Sequence, residues 1–309
     1  MQFQTIDDAC RSACLVLGVE FKSVPADGRF HTANIADDPR GRNDGRIKLF
    51  PDRQGGIVWN HKTGERKAFF LNGSAAELKP EQRQRIEAEQ RQRQADEAAQ
   101  REWAVRRAQA IWQSAQPAAP DHPYLVRKQI EPHATRLCRW QRTVTLNNGK
   151  RKSVAIDNAL LLPLYGADGR IRSLQAIFAE NHPVLGRDRD FLPGGGLAGL
   201  FWWIGPRTDD VVVCEGFATA ASVHQDTGWR VYMAFTANNL LAVGRIVRER
   251  LPNAGIVFCA DNDTHTPGNP GLTKAKEAAR AVGGGLAVPP IPGDFNDYSI
   301  FLRSAGNGE

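Results

Sequence analysis

The stretch "DVVVCEGFATA", residues 210–220, sets four apolar residues directly before a glutamate, Glu215. A second apolar run, "AGIVFCA", closes on Asp261-Asn262-Asp263. A third acidic element, Asp294 and Asp297 in "GDFNDYS", follows the last short apolar run, "GLAVPP". In extended chain, positions i and i+2 face the same side, so Asp261 and Asp263 converge on one point. Carboxylates gathered from separate turns repel unless a cation stands between them. An all-oxygen set without His or Cys suits Mg²⁺ or Mn²⁺. Each element has a plainer alternative. An acid such as Glu215 favours a helix N-terminus, and the four aspartates are turn formers.

Positioning these acids falls to residues 209–290. Strand-like and helix-like segments alternate there: "VVVC", "GFATAASVHQDT", "WRVYMA", "NLLAVGRIVRERL", "AGIVFCA", "GLTKAKEAARAV", "GLAVPP". This is the rhythm of a parallel α/β sheet flanked by helices. In such a sheet ligands sit beyond the carboxyl ends of the strands, and all three acidic elements fall there.

The rest of the 309-residue chain divides by composition. Residues 1–75 predict a small α+β domain, with helical spacing over 5–19, strands within 45–70, and turns at Gly55–Gly56 and Thr63–Gly64. Residues 76–115 predict a long charged helix acting as a linker. Pro80 fits its first turn and Pro117 its stop, with Glu-to-Arg pairs at Glu81–Arg85, Glu87–Arg91, Glu89–Arg93, Glu97–Arg101 and Glu102–Arg106. Up to about residue 94 only Ile86 is strongly apolar. Beyond it a stripe through Ala95, Ala99, Trp103, Ala108, Ile111 and Trp112 is expected to dock. Residues 116–208 predict a basic, strand-rich subdomain with turns at Asn148–Gly149, Asp168–Gly169 and Gly194–Gly196, and residues 209–302 the α/β domain.

Bulk properties narrow the function classes. No apolar run reaches bilayer length, and the N-terminus, carrying Asp7 and Asp8, makes a poor secretion signal; a cytoplasmic protein is expected, with no membrane partner. The five cysteines form no Cys-x-x-Cys pair, so zinc is not expected and they read as small buried hydrophobes. Net charge is +6. The acidic segment 209–302 carries −3 and residues 1–208 carry +9, a distribution that suits a polyanion beside a metal site.

Glu-Gly after a strand, then Asp-x-Asp two strand units later, resembles the Toprim domain of bacterial-type primases, topoisomerases and some nucleases, and "DFNDYS" resembles the third acidic element of primase members. Upstream, "NALLLPLYGADGRIRSLQAIF" and "RDFLPGG" resemble the basic half of the bacterial-type primase core. "HPYLVRKQI", residues 122–130, and "GRNDGRIKLF…GGIVWNHKTGE", residues 41–65, resemble primases carried by conjugative plasmids, integrative elements and prophages.

The resemblance implies a DNA primase that makes short RNA primers on single-stranded DNA by two-metal nucleotidyl transfer, with ribonucleoside triphosphates as substrates. Glu215, Asp261 and Asp263 are then the catalytic acids and metal ligands, with Asp294 and Asp297 completing an outer metal site. Glu215 is also placed to relay the hydroxyl proton. Arg170, Arg172, Arg187, Arg189 and, more weakly, Lys274 and Lys276 are candidates for the triphosphate and template. In the N-terminal domain Arg46, Lys48, Arg53, Trp59, Lys62, Arg66 and Lys67 interleave with Phe50, His61, Phe69 and Phe70, a mixture that suits single-stranded DNA. The zinc ribbon usual at this end of bacterial-type primases is missing, and so is a helicase P-loop, so a separate helicase or relaxase is implied. The rivals are a Toprim nuclease using the same metals and a non-catalytic single-strand-binding accessory protein of a mobile element.

Overall fold

The computed structural model describes residues 3–36, 38, 43–72, 80–145 and 149–306, without the side chains of 80–83, 85–87 and 306. Several expectations therefore lie outside the described residues: Asn148 of one turn, residues 41 and 42 of one quoted motif, the Ile86 side chain, and the pairs Glu81–Arg85 and Glu87–Arg91. Among the described residues no helix is long and apolar enough to cross a membrane. The chain forms two compact units, Met1–Gln92 and Arg93–Glu309.

In the first unit, α1 (Ile6–Leu17) starts at Thr5, whose hydroxyl accepts from the Asp8 backbone while Asp8 answers the Thr5 backbone; it stops at the left-handed Gly18. Its residues Ile6, Ala9, Cys10, Ala13, Cys14 and Leu17 are buried, at the spacing of one helix face. That face meets Ile47, Leu49, Val58 and Phe69. These come from an antiparallel sheet in the order β1 (His31–Ala33), β2 (Gly45–Leu49), β3 (Gly55–Asn60), β4 (Arg66–Phe70). The structure corrects one expected turn. Gly55 and Gly56 open β3, and the turn is the preceding segment 51–54. A Cβ on Gly56 would stand 2.2 Å from the Lys48 carbonyl oxygen and 2.4 Å from Phe69 Cζ, so glycine is there for close strand approach.

The long helix exists, as α2 (Pro80–Ser114). Its side chains from residue 88 to 103 are exposed, Ala95, Ala99 and Trp103 included. The docking stripe begins one residue later, at Ala104, Val105 and Ala108. At 100° per residue Trp103 falls just off that stripe; it is 56% exposed, with the Arg107 guanidinium 5.4 Å from its ring centroid. Glu97 and Arg101 pair at 3.7 Å as expected, whereas Glu102 reaches Arg172 at 3.6 Å.

In the second unit an antiparallel sheet runs β5 (Gln116–Pro117), β6 (Arg136–Thr145), β7 (Arg151–Tyr165), β8 (Ile171–His182), β9 (Arg187–Phe191). The run Leu160–Leu164 in β7 is buried throughout, because both sheet faces are covered. Leu161 packs with Ala108, Trp140 and Leu174, while Leu160, Leu162 and Leu164 join the core of the following sheet. The short α3 (Pro123–Lys128) lies between β5 and β6.

That following sheet has the order β10 (Trp202–Ile204), β12 (Arg230–Met233), β11 (Asp210–Cys214), β13 (Gly255–Cys259), β14 (Gly285–Ala287). β11 through β14 are parallel and β10 is an antiparallel edge. Residues 202–204, expected upstream of this domain, therefore belong to its sheet. Val212 and Cys214 face α4 (Phe217–Thr227); Val211 and Val213 face α5 (Leu240–Arg250) and α6 (Pro270–Val282). Strand order reverses at β11, since the chain moves to β12 on one side and then crosses to β13 on the other. The carboxyl end of β11 is thus the switch point of an α/β sheet, where crevices form. α7 (Phe295–Gly306) packs on α4.

Candidate active site

Glu215 is the first residue past β11. Its carbonyl accepts from Phe235 at 2.8 Å and its carboxylate from the Ala237 backbone. Burial raises its pKa; Asp263 adds to the rise and Arg189 opposes it. Asp261 follows β13. Burial is again the main cause of its shift, with Glu215, Asp294 and Asp263 adding repulsion, and together they push it up to about 7. Its Oδ1 is buried with no hydrogen-bond partner.

The intervening Asn262 points away, as the alternation demands. It pairs by backbone with Gly293, and its Nδ2 donates to the carbonyls of Pro289 (3.2 Å) and Ile291 (3.3 Å). Asn269, the N-cap of α6, accepts from the Asp263 backbone at 3.2 Å and donates to Asn262. The loop 264–269 is thereby folded back on the Asp-Asn-Asp turn. At Gly271 a Cβ would sit 3.4 Å from that of Asp261, which keeps the start of α6 close to the acids.

The third element has a structural job as well. Asp297 N donates to Asp294 Oδ1 (2.9 Å) and Asp294 N to Asp297 Oδ2 (3.1 Å), a reciprocal capping box at the start of α7. Asp297 Oδ1 also pairs with Lys128 at 3.3 Å. Asp294 remains close enough to Asp261 to raise its pKa.

Among the described residues no three His, Cys, Asp or Glu side chains converge tightly enough to hold one ion. The chemistry of the donors nonetheless fits a divalent cation. An orphaned buried carboxylate oxygen and mutually repelling carboxylates are the condition that a cation between them relieves.

The basic candidates separate by partner. Arg189 lies within electrostatic reach of Glu215 and Asp261, held by Asp188 at 3.0 Å. Arg187 is drawn away by Asp190, which is 3% exposed and also receives Arg142 (2.7 Å) and Trp140 Nε1 (2.9 Å). Arg172 is bound to Asp168 (2.6 Å) and Glu102. Arg170 is exposed beside the β7–β8 turn, Lys274 pairs with Glu277 at 2.8 Å, and Lys276 is exposed on α6. The sequence reading overlooked Lys128. Its only signal was membership of the "HPYLVRKQI" motif.

In the first unit, the face of the sheet opposite α1 carries a row across three strands, Arg46–Trp59–Arg66, beside Lys48. His61 stacks on Trp59 (3.5 Å between centroids), the Arg66 guanidinium lies 3.9 Å from the Trp59 centroid, and Phe30, also overlooked, stands 6.1 Å away. Lys67 has the opposite parity, opposing the buried Val58. Arg53 and Lys62 sit in turns, Lys62 paired with Asp38.

Comparison with known proteins agrees with this architecture. Residues 210–307 match the family described as the Toprim domain. A DNA primase TraC of Escherichia coli is 28% identical over 285 residues, covering 88% of this chain and 25% of that protein. Another DNA primase TraC of E. coli is 27% identical over 306 residues, covering 94% of this chain and 20% of that protein. The chain thus spans a quarter or less of the curated relatives it matches. A solved structure described as the DnaG primase catalytic domain bound to ssDNA aligns with a TM-score of 0.47 at 12% identity, covering 68% of this chain and 77% of that one. The match to the Toprim domain family covers the C-terminal third of this chain, residues 210–307.

Proposed function

We propose that the chain is a DNA primase that joins ribonucleotides into short primers on a single-stranded template, working beside a separate helicase or relaxase. The observation that supports this most directly is that Glu215, Asp261, Asp263 and Asp294, which follow β11, β13 and β14, lie within electrostatic reach of one another at the switch point of a Toprim-like sheet. The similarity to primases over most of the chain's length supports the same reading.

In this reading Glu215, Asp261 and Asp263 hold Mg²⁺ or Mn²⁺, with Asp294 and Asp297 at the outer edge. Divalent ions held by these residues would supply the charge that neutralises the triphosphate and the Lewis acidity that activates the primer 3′-hydroxyl. Glu215, held by the Ala237 N–H and raised in pKa, is the group placed to take the hydroxyl proton. Arg189 brings positive charge to the same mouth. In this reading the chain is organised as 1–75, 76–115, 116–208 and 209–302, and template binding falls to the first segment, through Arg46, Lys48, Trp59 and Arg66 on the sheet face opposite α1. Of the other candidates, Arg170 and Lys274 remain exposed enough to follow a polyanion.

The test incubates the chain with single-stranded DNA, labelled ribonucleotides and Mg²⁺ or Mn²⁺. Short RNA products are expected, lost in Asp261→Asn/Asp263→Asn while DNA binding persists. Shortened DNA would instead mark a Toprim nuclease, and a mobility shift with neither product a binding protein.

A further inference from the structure

The "HPYLVRKQI" motif has no role in the reading above, yet its helix reaches the acids. His122 caps α3: its Nδ1 accepts from Tyr124 N at 3.2 Å, which leaves Nε2 to donate to the Asn158 carbonyl at 2.9 Å. Pro123 opens the helix and Gln129 closes it in the left-handed conformation. Tyr124 and Lys128 are four apart, so they share one face. Tyr124 is buried, stacks on Phe217 just past Glu215-Gly216, and feels the charges of Arg189, Asp294 and Asp188. Lys128 continues that face to Asp297. The Lys128 carbonyl accepts from Asn296 Nδ2 at 2.6 Å, and Asn296 donates also to Ser222 on α4. The helix backbone and α7 are therefore fixed to each other, while the ammonium at the end of Lys128 is free to change partner.

Two features mark that ammonium as exchangeable. Its separation from Asp297 is 3.3 Å, longer than the roughly 2.7–2.9 Å of a strong charge-assisted bond. Solvent also reaches the pair, with Lys128 24% and Asp297 45% exposed, so water competes with the carboxylate for the ammonium. Among the described residues Lys128 is the one cation in ion-pair range of any of the five acids.

We propose that Lys128 is a triphosphate-binding residue. With no nucleotide present it neutralises Asp297; when a nucleoside triphosphate enters with its divalent ion, the ammonium turns from the carboxylate to the phosphate oxygens. This rests on the nucleotidyl-transfer reading. It adds the ligand group that Lys128 contacts and the exchange that contact requires. A lysine suits the task, since its ammonium is a compact charge on a flexible stem.

The experiment measures binding without chemistry, on the full chain. An α,β-methylene ribonucleoside triphosphate is titrated in the presence of Mn²⁺, and Mn²⁺ alone is titrated separately by calorimetry. Lys128→Met should weaken nucleotide binding about tenfold, the order expected for a charge-assisted hydrogen bond. Mn²⁺ alone should bind equally well or more tightly, because a competing cation has gone. Lys128→Arg should recover most of the nucleotide affinity. A purely structural lysine would instead lower both affinities together, and that result, or an unchanged nucleotide affinity, overturns the proposal. Circular dichroism reports folding, and if Lys128→Met does not fold, Lys128→Gln takes its place with the same expectations. A wild-type chain that binds the nucleotide but makes no primers would refute the primase reading and leave Lys128 assigned; one that binds no nucleotide would refute both.

Discussion

Asp261→Asn should make the metal-free protein more stable at pH 8, although it removes a group on which activity depends. The folded-state pKa of Asp261 is pushed from 3.8 up to about 7, chiefly by burial and then by Glu215, Asp294 and Asp263. For an acid this is a raised value, so the native state holds the proton more tightly than the unfolded chain. The stability cost is absent below pH 4, grows as pH rises through the interval from 3.8 to about 7, and is complete above it. That interval corresponds to about 4 kcal/mol at most, and sharing among the coupled acids brings it to roughly 2–4 kcal/mol. In a unit of the size of Arg93–Glu309 it amounts to roughly 4–16 °C in Tm. Thermal unfolding of wild type and Asp261→Asn, followed by circular dichroism at pH 4 and pH 8 with chelator, should show the variant ahead only at pH 8. Millimolar Mn²⁺ should then raise the wild type at pH 8 and leave the variant nearly unmoved. A variant less stable than wild type at pH 8, or equal shifts of both proteins on adding the ion, would refute the idea that a buried, uncompensated carboxylate charge is held at this site.

Other outcomes follow from the packing and from the two faces of the N-terminal sheet. Asp190→Ala strands Arg142 and Arg187 beside a buried site and should cost about 3–5 kcal/mol in urea unfolding. Gly244→Ala should cost about 1–3 kcal/mol, since a Cβ there would meet Phe258 Cζ at 2.6 Å between α5 and the sheet. Replacing Arg46 and Arg66 by alanine should reduce the slope of log affinity for single-stranded DNA against log salt by about 1.4, the effect of two lost phosphate contacts. Trp59→Ala should weaken that binding by about 1–3 kcal/mol, while Lys67→Ala, on the other sheet face, should leave it unchanged in the same fluorescence titration.

The sequence by itself determined the local elements and the ends of strands that carry acids. Apolar runs broken by helical segments give β11 to β14 and α4 to α6, and a carboxylate directly after such a run stands at a strand end because the chain between them has no room to go elsewhere. The spacing of Ile6, Ala9, Cys10, Ala13, Cys14 and Leu17 likewise writes the buried face of α1 in consecutive residues. Where a single residue decided the outcome, local pattern was too coarse: Trp103 lies one position off the buried stripe, and the Gly55–Gly56 pair serves strand approach where a turn was expected. Only the tertiary structure sorted the arginines, because Arg187 and Arg189 are two residues apart on one strand and the difference between them is a buried Asp190 on one side and Glu215 on the other. Only the tertiary structure joined β10 to the edge of the parallel sheet, and Lys128 to Asp297 across 169 positions of chain. Hydrophobic periodicity is a property of neighbours in sequence, whereas an ion pair is decided by which surfaces the packed helices and sheets bring face to face.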